Sequence, residues 1–150
     1  MENVSKILFA KDKVAEVINN LFIFTDNRDW KNVEICFAEK VHFDMTSMGA
    51  ENTVLLTPRQ ITDMWDNGLK SIDAVHHQTG NLKIDVSDEK AIAFCYGTAS
   101  HFKKTASGEN TRTFVGSYNF HLTKNKDDWR IDSFKFNLKY ADGNLNLETD

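Results

Sequence analysis

The stretch from Ala91 to Phe102 constrains this chain more than any other. Read as a strand, it sends alternate side chains to opposite faces. One face then carries Ala91, Ala93, Cys95, Gly97, Ala99 and His101, five small residues followed by an imidazole. The other carries Ile92, Phe94, Tyr96, Thr98, Ser100 and Phe102, most of them bulky. A small-residue face laid flat on a helix leaves voids, and voids in cores are costly. A curved strand whose small face lines a pocket avoids that cost and puts His101 at the rim. The plainer alternative is that the small face lets a helix approach closely.

The chain around this stretch predicts one α+β domain spanning residues 1–150. Val14, Val17, Ile18, Leu21 and Phe22 follow helical spacing from about Asp12, a candidate N-cap, to Phe24. Asp26-Asn27-Arg28-Asp29 ends that helix, and Asp29 can cap a short second one carrying Trp30, Val33 and Phe37. Val41-His42-Phe43-Asp44-Met45 reads as a short strand with Val41, Phe43 and Met45 on one face, His42 and Asp44 on the other. Thr57-Pro58-Arg59-Gln60 has the form of a capping box with proline in the first helical position. Ile61, Met64, Trp65 and Leu69 give that third helix its apolar stripe. Four long strands follow at about Val75–Val86, Ala91–Lys103, Thr111–Thr123 and Trp129–Tyr140, joined by compact turns. Strands of that length must twist and curl. Three helices across a strongly curled sheet make a cone with an open mouth.

Charge and composition narrow the partners. The 22 acidic residues only slightly outnumber the 18 basic ones, which gives no footing for nucleic acid or an anionic membrane. No apolar run approaches the roughly 20 residues of a membrane span. The first residues, Met1 to Lys6, lack the shape of a signal peptide, and Cys36 and Cys95 stand alone in apolar segments. These features point to the cytoplasm, with two buried free thiols rather than a disulfide.

In order and spacing these segments resemble the nuclear-transport-factor-2-like superfamily, and within it the SnoaL-like and scytalone dehydratase branch. The resemblance spans about Asp12 to Tyr140. It rests on Asp29-Trp30, Phe43-Asp44, His77-Gln78-Thr79-Gly80-Asn81, Ser100-His101, Ser117-Tyr118-Asn119-Phe120-His121 and Trp129-Arg130-Ile131. It implies a cone-shaped fold and a closed hydrophobic pocket lined by an aspartate, two histidines, a serine and an asparagine, matched here by Asp44, His77, His101, Ser117 and Asn119. Two histidines suit the base and acid of a dehydration, because the imidazole pKa lies near working pH. An aspartate beside an imidazole fixes its tautomer and stabilises its cation. Phe43 stands where scytalone dehydratase has a tyrosine. In the ketosteroid isomerase comparison Phe22 and Asn119 fall roughly at the two oxyanion-holding positions, and Phe22 cannot donate a hydrogen bond, so a histidine–aspartate mechanism fits better.

Simple alternation puts His76 on the buried face with Leu82, Ile84 and Val86, whereas the resemblance favours His77; a bulge near Gly80 would reconcile them. The expected activity is cofactor-free, metal-free acid–base chemistry, a dehydration or isomerisation, on a hydrophobic, cyclic or carbonyl-bearing molecule. Catalysis would fall to Asp44, His77 and His101, and substrate contacts to Ser117, Asn119, Phe43 and Trp65. The other readings are a non-catalytic binding or dimerisation module, and an iron site on two histidines and a carboxylate. The apolar face with Ile92, Phe94 and Tyr96 predicts a homodimer through the sheet.

Overall fold

Apolar side chains recurring at helical spacing bury one stripe of the first helix, α1, which runs from Glu2 to Asp26 and hides Val14, Ile18, Leu21 and Phe22. The structure is a computed structural model that describes residues 1–150. Helix α1 begins well before Asp12, so Asp12 is an interior residue and not a cap. Nothing between Met1 and Lys11 breaks a helix, and the extra turns are held by local pairs such as Lys6–Glu2 while Leu8 and Phe9 stay exposed. Helix α2 (Trp30–Ile35) is capped by Asp29, whose side chain accepts from the backbone N–H of Asn32. Phe37 belongs to the following strand rather than to α2. Helix α3 (Pro58–Gly68) starts on the full capping box of Thr57 and Gln60. It buries Ile61 and Thr62, and Met64 is exposed.

Six strands form one curved sheet: β1 (Phe37–Asp44), β2 (Val54–Leu56), β3 (Ala74–Ser87), β4 (Lys90–Phe102), β5 (Thr111–Asn125) and β6 (Asp128–Gly143). Their spatial order is β2-β1-β6-β5-β4-β3. The four long strands make the expected antiparallel meander, and β1 joins it parallel to β6. Neither β2 nor the 3-10 turn at Thr46–Met48 is apparent from the sequence, since three residues carry no measurable periodicity.

Two features of β3 and β4 shape the interior. Strand β3 slips by one residue between Gly80 and Lys83, with Asn81 at φ 55°. The bulge reverses the parity of the strand. Val75 and His77 therefore share the inner face with Ile84 and Val86, and His76 points outward. The small face of β4 is divided in use. Ala91, Ala93 and Cys95 belong to the same core as Val14, Ile18 and Leu21, as close helix approach requires. Gly97 receives the ring of Tyr118, and only Ala99 and His101 open onto a cavity.

Candidate functional site

Between α3, the Met45–Val54 connection and the inner wall of the sheet lies a cavity of about 890 Å³. Its wall is mostly apolar, with Phe43, Trp65, Phe114 and Phe134 among the larger contributors. Trp65 is fixed by Phe37, Phe43 and Phe134 at centroid distances of 6.0, 6.0 and 5.7 Å. His77, His101 and Arg112 line the end formed by β3, β4 and β5, while Glu51 and Asn52 line the connection between β1 and β2.

There the register does the positioning. His101 pairs with Val75 across to β3 and with Arg112 across to β5, while His77 pairs with Ala99. His77 and His101 are thus diagonal neighbours on one face, a relation that sets side-chain bases roughly 7 Å apart. Phe22 lies against the His77 ring at 5.2 Å and Phe114 against His101 at 5.6 Å.

The carboxylate that meets His77 is Asp26, the last residue of α1. Its Oδ1 lies 2.6 Å from His77 Nδ1, and its Oδ2 accepts the His77 backbone N–H at 2.8 Å. Both side chains are largely buried, at 14% and 17% exposure. A carboxylate can only accept, so Nδ1 carries the hydrogen, and in the neutral ring Nε2 keeps the lone pair. The second imidazole has the opposite arrangement. Arg112 Nη2 donates to His101 Nδ1 at 2.9 Å, and a guanidinium has no acceptor. The hydrogen of the neutral His101 ring therefore sits on Nε2. Burial first, then the adjacent Arg112 cation, pushes the His101 pKa down to about 4, so the ring stays neutral near pH 7. Tyr118 lines the same wall, and burial holds its phenol well above the usual value and protonated.

The structure does not bring Asp44 to this cluster. Phe43 turns inward and Asp44 outward, as β1 alternation requires. Its carboxylate accepts from Thr46 N and Oγ1 at 3.0 and 2.7 Å and lies 3.8 Å from Lys135 Nζ. The Thr46 hydrogen bonds hold its pKa low, as befits a turn-capping group. Ser117 and Asn119 also stand outside the cavity. The inner face of β5 is taken by Phe114, Gly116, Tyr118 and Phe120, which leaves Ser117 and Asn119 on the outer face, bonded to the Asn137 amide at 3.2 and 2.7 Å. Of the residues singled out in sequence, His77, His101, Phe43 and Trp65 line the cavity. Asp26 and Arg112 complete the cluster and were missed. Arg112 had left a signal, being in phase with Phe114, Tyr118 and Phe120 on an otherwise apolar face. No three His, Cys, Asp or Glu side chains converge in a way that would hold a metal ion. Burial raises both cysteine thiols to about 11.

A curled α+β sheet enclosing an apolar cavity with acid–base groups on one wall defines the class of this protein. The chain belongs to the SnoaL-like domain family, whose model matches residues 7–135. Its fold is that of the nuclear-transport-factor-2-like superfamily. Kfla4162 from Kribbella flavida superposes with a TM-score of 0.86 at 15% identity, over 93% of this chain and 97% of that one. A candidate scytalone dehydratase from Novosphingobium aromaticivorans DSM 12444 gives 0.80 at 14% identity, over 96% and 92%. The hexachlorocyclohexane dehydrochlorinase LinA-type3 from Novosphingobium barchaimii LL02 gives 0.75 at 13%, over 93% and 92%. At these identities the likeness establishes the fold alone. No curated protein matches the sequence. No helix is long and apolar enough to cross a membrane.

Proposed function

We propose that this protein is a cofactor-free lyase or isomerase that moves a proton on an uncharged, hydrophobic carbonyl compound, with the Asp26–His77 pair as base and His101 as hydrogen-bond donor. The observation that carries this reading is the 2.6 Å Asp26–His77 contact on the wall of an apolar cavity of about 890 Å³. In the reaction His77 Nε2 takes a proton from the carbon next to the carbonyl. The C–H electron pair moves into the new C=C bond, and the carbonyl becomes an enolate whose oxygen accepts from His101 Nε2–H. Asp26 stabilises the imidazolium formed on His77. The enolate then collapses by one of two routes. It expels a β-hydroxyl, which leaves as water with the proton from His77, or it takes that proton back at another carbon. A neutral His101 can serve as that donor, since its Nε2–H strengthens its hydrogen bond as negative charge develops on the enolate oxygen.

The low-dielectric wall supports the assignment, because a fixed donor counts for more where water is excluded. Likenesses to a candidate dehydratase and to a dehydrochlorinase agree with it, both being names for eliminations. We also place the protein in the cytoplasm as a homodimer across the outer sheet face, where Ile92 and Tyr96 are exposed.

The test is proton exchange and water loss on a panel of bicyclic ketones and β-hydroxy ketones in deuterated water, followed by NMR. The wild type accelerates one or both. His77→Gln and Asp26→Asn lower the rate on the order of 10²–10⁴-fold with the fold intact. Tight binding without exchange would instead establish a carrier, and unchanged rates in both variants would remove the assignment.

A further inference from the structure

Arg112 is the one Lys or Arg side chain on the cavity wall, and it is 7% exposed. A cation in such a place is an obvious seat for an anionic ligand. The seat is already taken. The segment after β6, residues 144–150, folds back over the open ends of β3, β4 and β5 and brings Glu148 Oε1 to 2.5 Å from Arg112 Nη2. The same Nη2 donates to His101, and Arg112 Nε is buried with no partner.

This segment is built to hold that position. Leu147 is fully buried against Ile72 and Val75 in a small core of its own. Lys103 Nζ donates to the carbonyls of Leu147, Glu148 and Asp150 at 3.2, 3.1 and 2.8 Å. The Asn144 amide bonds Glu109 O and Asp150 Oδ2, both at 2.9 Å. The contact with Arg112 also holds the Glu148 carboxyl below its usual range. With Glu148 seated, the one cation of the cavity lining, Arg112, is already paired with a carboxylate that stands behind the lining. A carboxylate entering at the His101 end would find that cation already neutralised, while a carbonyl would meet the Nε2–H of His101.

We propose that Glu148 is the specificity-determining residue of this cavity: by occupying Arg112 it restricts the site to uncharged carbonyl ligands and excludes the corresponding carboxylates. The inference rests on the cavity being the ligand site, but not on His77 acting as a base. Removing the carboxylate while keeping the fold should turn the same cavity into an anion site, because Arg112 then lacks a counter-charge.

The probes are 2-acetylnaphthalene and 2-naphthoate, which share a ring system and differ in charge, with binding read by equilibrium dialysis at neutral pH and low salt. The wild type should bind the ketone at least about tenfold more tightly than the carboxylate. Glu148→Gln should leave the ketone unchanged and strengthen the carboxylate about tenfold. Arg112→Met added to Glu148→Gln should abolish that gain. A wild type that takes both probes equally, a Glu148→Gln ratio equal to the wild type, or a gain that survives loss of Arg112 would each overturn the inference. The wild-type ratio decides it alone if a variant fails to fold. Binding of neither probe overturns both this inference and the cavity reading beneath it. Loss of turnover in Asp26→Asn with an unchanged binding ratio speaks only to the catalytic reading.

Discussion

A carboxylate is poorly placed at the last residue of a helix, where the backbone dipole presents its negative end. Asp26 occupies that position in α1, with no basic residue in the last turn to offset it. What makes the position tenable is His77, through its backbone N–H and its ring. A residue that local rules disfavour, and that a distant residue satisfies, is a mark of a functional site. In the sequence Asp26 looks like one of several helix-ending polar residues, because its partner lies on a strand far along the chain. Asp44 is the more visible aspartate, and β1 alternation turns it outward. His101 offers a pH test. Near neutrality its ring is uncharged both folded and unfolded. Between its ordinary 6.5 and the folded value of about 4, the unfolded ring takes a proton that the folded ring refuses. Stability therefore falls as pH drops through that window, by up to about 3 kcal/mol. Urea unfolding of His101→Gln, which keeps an acceptor for Arg112, should show a shallower loss than the wild type over the same range. Equal slopes would mean that His101 titrates normally.

At the scale of elements, the legible parts are those with a strong period. The four long strands and the capped helix α3 are predicted within a few residues, because alternation and capping are local signals. The early start of α1 is not legible, since continuing a helix needs only the absence of a breaker. The bulge at Asn81 is readable only as a conflict between His76 and His77, and it is what turns His77 inward. The small face of β4 serves both readings weighed for it, packing at Ala91–Cys95 and opening at Ala99. Between the two halves, Gly97 is needed for a close approach, for a Cβ there would lie 2.1 Å from the Tyr118 ring. Gly97→Ala should displace Tyr118 and cost about 1–3 kcal/mol in urea unfolding. A neutral substitution would show that the ring has somewhere else to go.

For the whole molecule, the parallel pairing of β1 with β6 extends the meander into a six-stranded open sheet edged by β2 and β3, a contact between distant segments that no local pattern announces. The curled sheet gives its concave side to the helices and the cavity and bares the convex side. Ile92 and Tyr96 stand 57% and 55% exposed there, on a face no helix covers. A homodimer through this face would shield them. Ile92→Glu combined with Tyr96→Glu should halve the mass seen by light scattering without altering ligand binding in the cavity. A wild type already monomeric at micromolar concentration would contradict the dimer. The catalytic account stands apart from this, because every residue it uses comes from one copy. Its core is that two neighbouring imidazoles hold their single hydrogens on opposite nitrogens, one ring to accept a proton and the other to donate a hydrogen bond. Long-range ¹H–¹⁵N correlation spectra of the histidine rings at about pH 8, where an imidazole is ordinarily neutral, read this directly. The account predicts His77 protonated on Nδ1 and His101 on Nε2, and finding both rings in the same tautomer would contradict it.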